Sequence, residues 1–258
     1  MSLQKLLWVA VAMGVMAGTA LADPMRTVFT KENKFPGAMG WEVGLAGEFR
    51  TYEEQMADED MDWWAVGPQA RFGITDRVAV RADIPLVGWS MDDEDESGLG
   101  DISLGLDFLF FEDIFEYAWI IPHATAILPT GDEDDGLGVG EGQGRFGVSV
   151  GTTVNDVLHF GADVSYTVNG TWDDMHDERE ELITGALSLV WDLDDQASLL
   201  GEVQLRDDPV DDDDDYALHA HGGMSYRINE WFSLMGYFGG ASGGYEDYYG
   251  MGRLVCQF

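Results

Sequence analysis

Residues 98–111 place their apolar and polar side chains in the reverse of the usual soluble arrangement. Read with the two-residue period of a β-strand, the stretch GLGDISLGLDFLFF puts bulky apolar side chains on one face and only Asp, Ser and Gly on the other. Small and acidic residues suit a confined wet interior, whereas a soluble sheet exposes long, solvated side chains. The stretch therefore predicts a membrane strand with its apolar face toward lipid. A half-buried strand of a soluble protein is the alternative that one strand leaves open.

The same alternation recurs along the chain and predicts twelve strands. Short links alternate with longer, charged or Gly-rich connections, which is typical of bacterial barrels with tight periplasmic turns and long outer loops. The predicted fold is therefore all-β, a 12-stranded antiparallel up-and-down transmembrane β-barrel of the outer-membrane type over residues 39–258. The predicted strands are 39–52, 63–74, 78–90, 98–111, 117–130, 144–154, 158–169, 182–193, 197–206, 216–228, 232–240 and 248–258.

The N-terminus has the pattern of an export signal. Lys5 precedes an apolar run that ends at a small-residue site, so residues 1–22 are predicted to be a signal peptide cleaved after Ala22. A retained membrane anchor is the alternative. Cys256 is the only cysteine, so no intramolecular disulfide can form. The exported chain is then either an outer-membrane barrel or a soluble acidic β-sandwich. Nucleic acid is not an expected partner, because phosphate binding needs basic patches and the net charge is −36.

The acidic residues are concentrated in the predicted outer loops. These loops hold 31 of the 49 Asp and Glu residues and a single cation, Arg179. The loops are therefore predicted to form an acidic extracellular vestibule, although a general acidic bias from a saline habitat would give the same pattern. Residues 23–38 carry Arg26, Lys31 and Lys34 without periodicity and are predicted to be an irregular periplasmic segment.

Most arginines lie within predicted strands, in phase with the polar face. Their guanidinium groups are predicted to face the lumen with the in-phase carboxylates, and strand alignment places Arg81 roughly opposite Asp107 and His221 near Glu202. This set predicts a paired polar network that stiffens the barrel, a charge-selective constriction, or both. The lumen and constriction candidates are Arg50, Arg71, Arg81, Arg145, Arg206, Arg227, Arg253, Glu42, Glu48, Asp83, Asp101, Asp107, Asp163 and Glu202.

Metal binding and catalysis have little support in the sequence. His219 and His221 share a strand face and are candidate metal ligands, but two His side chains without a third ligand more often are ordinary polar lumen residues. No dedicated cofactor is expected. The acidic run is predicted to condense divalent cations only loosely, because it lacks the spacing of a calcium loop; it comprises Asp211, Asp212, Asp213, Asp214 and Asp215. No nucleophile and base can be paired, so the protein is predicted not to be an enzyme.

Three short motifs resemble a known family. They are GLGD at residues 98–101, PTGD at 129–132 and GLGVG at 136–140. In these motifs the chain resembles the outer-membrane, transporter-like barrels grouped as "putative MetA-pathway of phenol degradation". The resemblance implies a barrel with a transport role and without a named substrate.

The leading functional hypothesis is a narrow passive channel for small solutes, because twelve strands lie between the side-chain-filled barrel of eight and the wide pore of sixteen. The acidic vestibule would favour cations. The alternative is a closed barrel whose acidic loops bind divalent cations, lipopolysaccharide or an extracellular partner. The expected location is the outer membrane of a Gram-negative bacterium, in contact with its lipid and lipopolysaccharide. The C-terminal Phe258, predicted to point outward, would be read by the barrel-assembly machinery.

Overall fold

A computed structural model describes residues 24–56, 59–91, 94–114, 118–169, 182–207, 216–242 and 248–258. No helix long and apolar enough to cross a membrane occurs in these ranges. Within them the chain forms fifteen β-segments: β1 Trp41–Met56, β2 Glu59–Thr75, β3 Val78–Asp83, β4 Leu86–Met91, β5 Glu94–Leu99, β6 Ile102–Phe108, β7 Phe111–Ile114, β8 Ala118–Leu128, β9 Gln143–Val154, β10 Leu158–Asn169, β11 Leu182–Asp192, β12 Ala197–Asp207, β13 Tyr216–Arg227, β14 Phe232–Ser242 and β15 Tyr248–Gln257.

These segments close into a twelve-stranded antiparallel barrel, as the sequence predicts. We call each of the twelve strands of the barrel a wall. Two walls are each made of two segments, β3 with β4 and β5 with β6, and the short β7 pairs only with the start of β8. The first strand closes the seam by pairing with both β2 and β15, and Trp41 exchanges backbone hydrogen bonds with Phe258. The predicted signal peptide, residues 1–22, lies outside the described residues, as do residues 211–215.

The two divided walls are interrupted at neighbouring points. Pro85 separates β3 from β4 and has no N–H to donate to the ladder, so the strand is interrupted there, although β3 and β4 keep one register with β2. Gly67, opposite the break, leaves no room for a side chain, because a Cβ would lie 2.1 Å from the Ile84 carbonyl oxygen. Gly100 donates its N–H to the Pro85 carbonyl at 2.9 Å, and it lies between β5 and β6, so the next wall is interrupted beside Pro85. The predicted single strand over residues 98–111 is therefore divided among the end of β5, the whole of β6 and the first residue of β7.

The reversed polarity of that stretch is confirmed. Leu104, Leu106 and Phe108 on β6 are exposed on the outside of the barrel, whereas Asp107 is 1% exposed and faces the lumen. Large apolar side chains are exposed on the same outer face of the other walls, as a lipid-facing belt requires. The inner face carries mainly polar side chains, with two small apolar clusters that include Trp119 and Tyr237.

The segment predicted to be periplasmic lies inside the barrel. Residues 24–36 enter the lumen, and Arg26, Thr30 and Lys31 are nearly or completely buried against strand residues. We call residues 24–36 the plug. Its lack of periodicity agrees with the sequence analysis, but its contacts correct the predicted location. Segments of irregular backbone are tolerated at membrane depth only where protein or water, rather than lipid, satisfies their polar groups.

The short turns lie at the end of the barrel where the chain leaves the plug. Asn155 and Asp156 have φ angles of 54° and 58°, the left-handed conformation of a tight hairpin turn. Phe258, predicted to point outward, is 8% exposed and therefore buried rather than freely accessible on the lipid face.

Candidate functional site in the barrel lumen

Glu202 on β12 holds the tip of the plug. Its two carboxylate oxygens accept hydrogen bonds from the backbone N–H groups of Val28, Phe29 and Thr30 at 2.6, 3.1 and 3.2 Å. His221 contributes a fourth contact, with Nε2 at 3.0 Å from the same carboxylate, as strand alignment predicts. The carboxylate is 2% exposed, and these charge-assisted bonds satisfy it. Glu202 therefore acts as the clasp of the plug.

Arg26 attaches the beginning of the plug to the barrel. Its guanidinium donates to Glu32 within the plug at 2.8 Å, to Ser198 at 2.8 Å, and to Asp192 on β11. Thr30 adds a hydroxyl contact with Ser188 at 2.7 Å. The Asp192 and Ser198 contacts of Arg26 join segments that are 166 and 172 residues apart in sequence. The plug is thus attached to the β11 and β12 walls by side chains that a sequence pattern does not connect.

The second half of the plug crosses toward β6 and β2. The Lys31 ammonium lies 4.0 Å from Asp107, and Arg71 lies 3.6 Å from the other oxygen of the same carboxylate. Arg71 also contacts Glu42 at 3.6 Å and donates to the Lys34 carbonyl at 2.6 Å. The predicted opposition of Arg81 and Asp107 is wrong by two residues, because Arg81 pairs with Gly105 and Asp107 with Ala79 in the β3–β6 register.

A second polar group lies on β8 to β10. His123 Nε2 is 2.7 Å from Asp163, which also accepts from the Ser149 hydroxyl, and Ser149 in turn accepts the Lys31 N–H at 3.0 Å. Of these residues, sequence reasoning selected only Asp163 as a site candidate. His123 and Ser149 were missed because residue alternation shows only which side chains face the lumen. It does not show which of them contact the plug or each other.

Arg81 and Arg145 have a different environment from Arg26 and Arg71. Arg81 donates to the Thr125 hydroxyl, and Arg145 donates to the Thr167 hydroxyl at 3.2 Å. No carboxylate lies within 4.0 Å of either guanidinium among the described residues. The guanidinium groups of Arg81 and Arg145 are therefore hydrogen-bonded to hydroxyl groups and form no ion pair with a described carboxylate.

A cavity of about 340 Å³ runs beside the plug. The plug forms one side of it, and the wall formed by β1, β2, β3 and β15 forms the other. Its lining is mostly small or apolar, with charged groups at intervals; the apolar members include Val28, Val66, Ile84, Pro85, Met251 and Val255, and the charged ones Lys31, Glu42, Glu48, Arg71, Arg81, Asp83 and Arg253. The plug thus narrows the lumen and leaves a passage-like space along one wall.

The sequence matches the family described as "Putative MetA-pathway of phenol degradation" over residues 41–249. The chain belongs to this family. The match begins with β1 and ends within β15, so it covers the barrel and excludes the plug. No curated protein matches the sequence.

Solved structures show the same architecture at low identity. The COG4313 outer membrane channel from Pseudomonas putida F1 superposes with a TM-score of 0.71 at 15% identity, covering 94% of this chain and 99% of that one. KdgM porin gives 0.54 at 9% identity, with 84% and 99% covered. The β domain of the Bordetella autotransporter BrkA gives 0.52 at 7% identity, again with 84% and 99% covered. The shared fold is that of Gram-negative outer-membrane barrels, and it serves more than one task.

The lumen of this family member contains most of the predicted candidates. Glu48 and Arg50 form an ion pair at 2.7 Å, and Asp83 accepts from Ser103 at 2.9 Å. Arg253 donates to the plug carbonyl of Met25, and Arg206 is in register with the inward-facing Thr184.

Two candidates have other positions. Arg227 lies at the short-turn end and donates to the Asp195 carbonyl, so it is not part of a constriction. Asp101 accepts N–H groups of Thr130, Gly131 and Val139 at 3.1, 2.9 and 2.8 Å. Asp101 of the GLGD motif thereby anchors the loop that contains the PTGD and GLGVG motifs. This contact brings the three motifs together at one place in the structure.

The proposed histidine pair is engaged elsewhere. His221 uses Nε2 toward Glu202 and Nδ1 toward the Tyr249 hydroxyl, each at 3.0 Å, and His219 packs 6.4 Å from the Tyr249 ring. Within the described ranges, no three His, Cys, Asp or Glu side chains are grouped to hold a metal ion.

Proposed function

We propose that this barrel is a passive outer-membrane channel in which small solutes pass beside the plug, through the cavity along β1, β2, β3 and β15. The observation that carries the proposal is the cavity that stays open beside the bound plug. Contacts with Glu202, Asp192 and Ser149 hold the plug against β9 to β12, and the cavity lies between the plug and β1, β2, β3 and β15, where Arg71 and Arg253 also bond the plug.

The walls of the cavity favour compact solutes with apolar surface. Val66, Ile84, Pro85 and Met251 give it apolar sides, and its volume lies at the lower end of the range for small-molecule sites. The description of the family, which refers to phenol degradation, supports small aromatic compounds as the first solutes to try.

The outer loops add a charge preference at the entrance. Their excess of acids would raise the local concentration of cationic solutes and repel anions before entry, an effect that weakens with added salt. Asp211, Asp212, Asp213, Asp214 and Asp215 form the densest part of this charge.

Planar-bilayer recordings test the channel. We expect the native barrel to give small, steady conductance, and deletion of residues 25–36 to raise it several-fold because the lumen loses its obstruction. Neutralising the five loop acids to Asn should reduce cation preference at low salt. Absence of conductance in the native protein, together with open pores after the deletion, would support the alternative below instead.

The alternative is a closed barrel with a surface-binding role. It is favoured by the burial of Glu202, Thr30 and Arg26, because their buried contacts make the plug a stable occupant of the lumen. A disulfide separates the two proposals. Thr30 and Ser188 have their hydroxyl oxygens 2.7 Å apart, so the Thr30→Cys, Ser188→Cys pair in a Cys256→Ser background should cross-link. Passage beside the plug predicts that the oxidised, cross-linked protein still conducts, whereas a closed barrel predicts no conductance in either the oxidised or the reduced form.

We further propose that residues 1–22 are removed on export and that Phe258 contributes to recognition by the barrel-assembly machinery. Lipopolysaccharide is the proposed neighbour of the acidic loops, with divalent cations bridging the two sets of negative charge. Mass spectrometry of the mature N-terminus, and assembly of a Phe258→Ser variant, test the first two points.

A further inference from the structure

Arg81, Thr125, Arg145 and Thr167 lie along one line of backbone pairing. Gly105 pairs with both Arg81 and Thr125, Thr125 pairs with Arg145, and Arg145 pairs with Thr167, so the line runs from β3 through β6, β8 and β9 to β10. Alternate residues of a strand share a face, and the buried Thr125 and Thr167 place this line on the lumen side.

The line lies on the long-loop side of the plug contacts. Arg145 precedes Ser149, the plug contact of β9, by four residues, and Thr167 follows Asp163 by four on β10. A solute that enters from the outer loops therefore reaches these residues before it reaches the plug.

The reach of each side chain brings the two guanidinium groups close together. Arg81 extends across Gly105 to the Thr125 hydroxyl, two walls from its own backbone. Arg145 bonds Thr167 on the adjacent wall. Walls are spaced by about 4.8 Å, so the hydroxyl partners lie about 10 Å apart. A carboxylate placed between the guanidinium groups could accept from both.

The acids in electrostatic range of this pair are already bonded to other groups. Asp163 is in range of Arg145 but is occupied by His123 and Ser149, and Asp107 is in range of Arg81 but lies within 4.0 Å of both Lys31 and Arg71. Arg81 Nε is buried and has no hydrogen-bond acceptor among the described residues. A buried guanidinium donor without an acceptor is costly, and a ligand oxygen would remove that cost.

We propose that Arg81 and Arg145, supported by Thr125 and Thr167, bind the carboxylate of a small monocarboxylic acid with an apolar tail. One carboxylate has two acceptor oxygens, so each guanidinium group can donate to one of them, and planar N–H donors suit carboxylate oxygens. Arg81 also lines the cavity beside the plug, where Ile84 and Pro85 give the tail an apolar wall. The site retains solutes that the acidic loops would otherwise disfavour. The inference specifies a solute class and in that respect rests on the proposed passage through the lumen.

Calorimetric titration of the full-length barrel in detergent with hexanoate at neutral pH tests the site without requiring conductance. We expect saturable binding, and a loss of affinity of about tenfold or more in each of Arg81→Gln and Arg145→Gln, because each removes a charge-assisted contact. Arg81→Lys, which keeps the charge, should lose less. The matched control is Arg77→Gln, whose side chain is 55% exposed in the β2–β3 turn and pairs with Glu112.

Three results would overturn the proposal: no saturable hexanoate binding to the native barrel, equal affinity in the two Gln variants and the control, or hexanol binding as tightly as hexanoate. Inorganic phosphate binding more tightly than hexanoate would also reject the assigned ligand class. Heat-shifted gel mobility shows that each variant is folded. Hexanoate binding without bilayer conductance would reject the channel and keep the site, whereas conductance without hexanoate binding would reject the site and keep the channel.

Discussion

The side chain of Arg81 crosses the inward face of Gly105 and reaches Thr125 on the next wall of the barrel. The same arrangement recurs where His123 crosses Gly147 to reach Asp163. In each case the glycine lies on the strand between the two partners, and a Cβ there would fall within 2.6 Å of the crossing side chain. Inward glycines therefore allow long side chains to connect walls that are not adjacent.

Gly105→Ala should displace Arg81. The new Cβ would lie 2.1 Å from Arg81 Nε, so the side chain must leave Thr125. We expect hexanoate affinity to fall several-fold and unfolding to become easier by about 1–3 kcal/mol. Calorimetry and urea titration measure the two effects. Gly185→Ala is the control, since nothing lies within 4 Å of its Cβ position. Unchanged affinity in Gly105→Ala would show that the position of Arg81 does not matter for binding.

Glu202→Gln should loosen the plug. The amide retains one acceptor but loses the charge that holds three N–H groups of the plug, at an expected cost of about 2 kcal/mol. This corresponds to about 30-fold faster hydrogen exchange at Val28 and Thr30 if exchange follows plug release. Glu48→Gln is a suitable control because Glu48 pairs with Arg50 on its own strand. Equal hydrogen-exchange rates in Glu202→Gln and Glu48→Gln would show that Glu202 does not hold the plug.

Asp101→Asn should release the loop that carries the PTGD and GLGVG motifs. The loss of charge weakens the bonds from Thr130, Gly131 and Val139, with an expected local cost of about 1–3 kcal/mol. Hydrogen exchange at these three amides reports the release. Asp134→Asn, in the same loop but exposed, should leave their exchange unchanged. Exchange that stays at the native rate in Asp101→Asn would mean that other contacts hold the loop.

Leu187→Arg should destabilise the barrel in a bilayer. Leu187 is 60% exposed near the middle of β11, where a cation on the lipid face costs about 2–4 kcal/mol. The same change at Leu193, beyond the end of that strand, should cost about 0–1 kcal/mol. Urea unfolding in phospholipid vesicles gives both values. Equal costs at the two positions would argue against a membrane-embedded outer face.

The Asp194 carboxyl in the β11–β12 turn should titrate below its ordinary range. Backbone N–H groups of Gln196 and Ala197, each at 2.8 Å, stabilise the carboxylate and lower the pKa of Asp194. The turn is then stabilised above the ordinary pKa of 3.8, and this contribution is lost as the pH falls through the lowered value. NMR titration of labelled Asp checks the direction, with Asp194→Asn identifying the signal. A measured pKa of 3.8 or higher for Asp194 would contradict this prediction.

Residue alternation predicted which side chains of the wall face inward. The pairing of His221 with Glu202 followed from register, because strands joined by a hairpin align their residues in a countable way. The predicted opposition of Arg81 and Asp107 was two residues out, because these strands are joined by a long outer loop, which does not fix the register, and Arg81 pairs with Gly105.

By itself, the sequence determined the barrel: strand number, the lipid-facing side and the polar lumen all follow from a local, two-residue period. Only the tertiary structure decided what fills that lumen. Arg26 meets Asp192 across 166 residues of chain, and the three N–H groups held by Glu202 belong to a segment without any period. An irregular segment has no repeating pattern to reveal its partners, so the plug, the cavity beside it and the Arg81–Arg145 pair emerge only when the barrel closes around it.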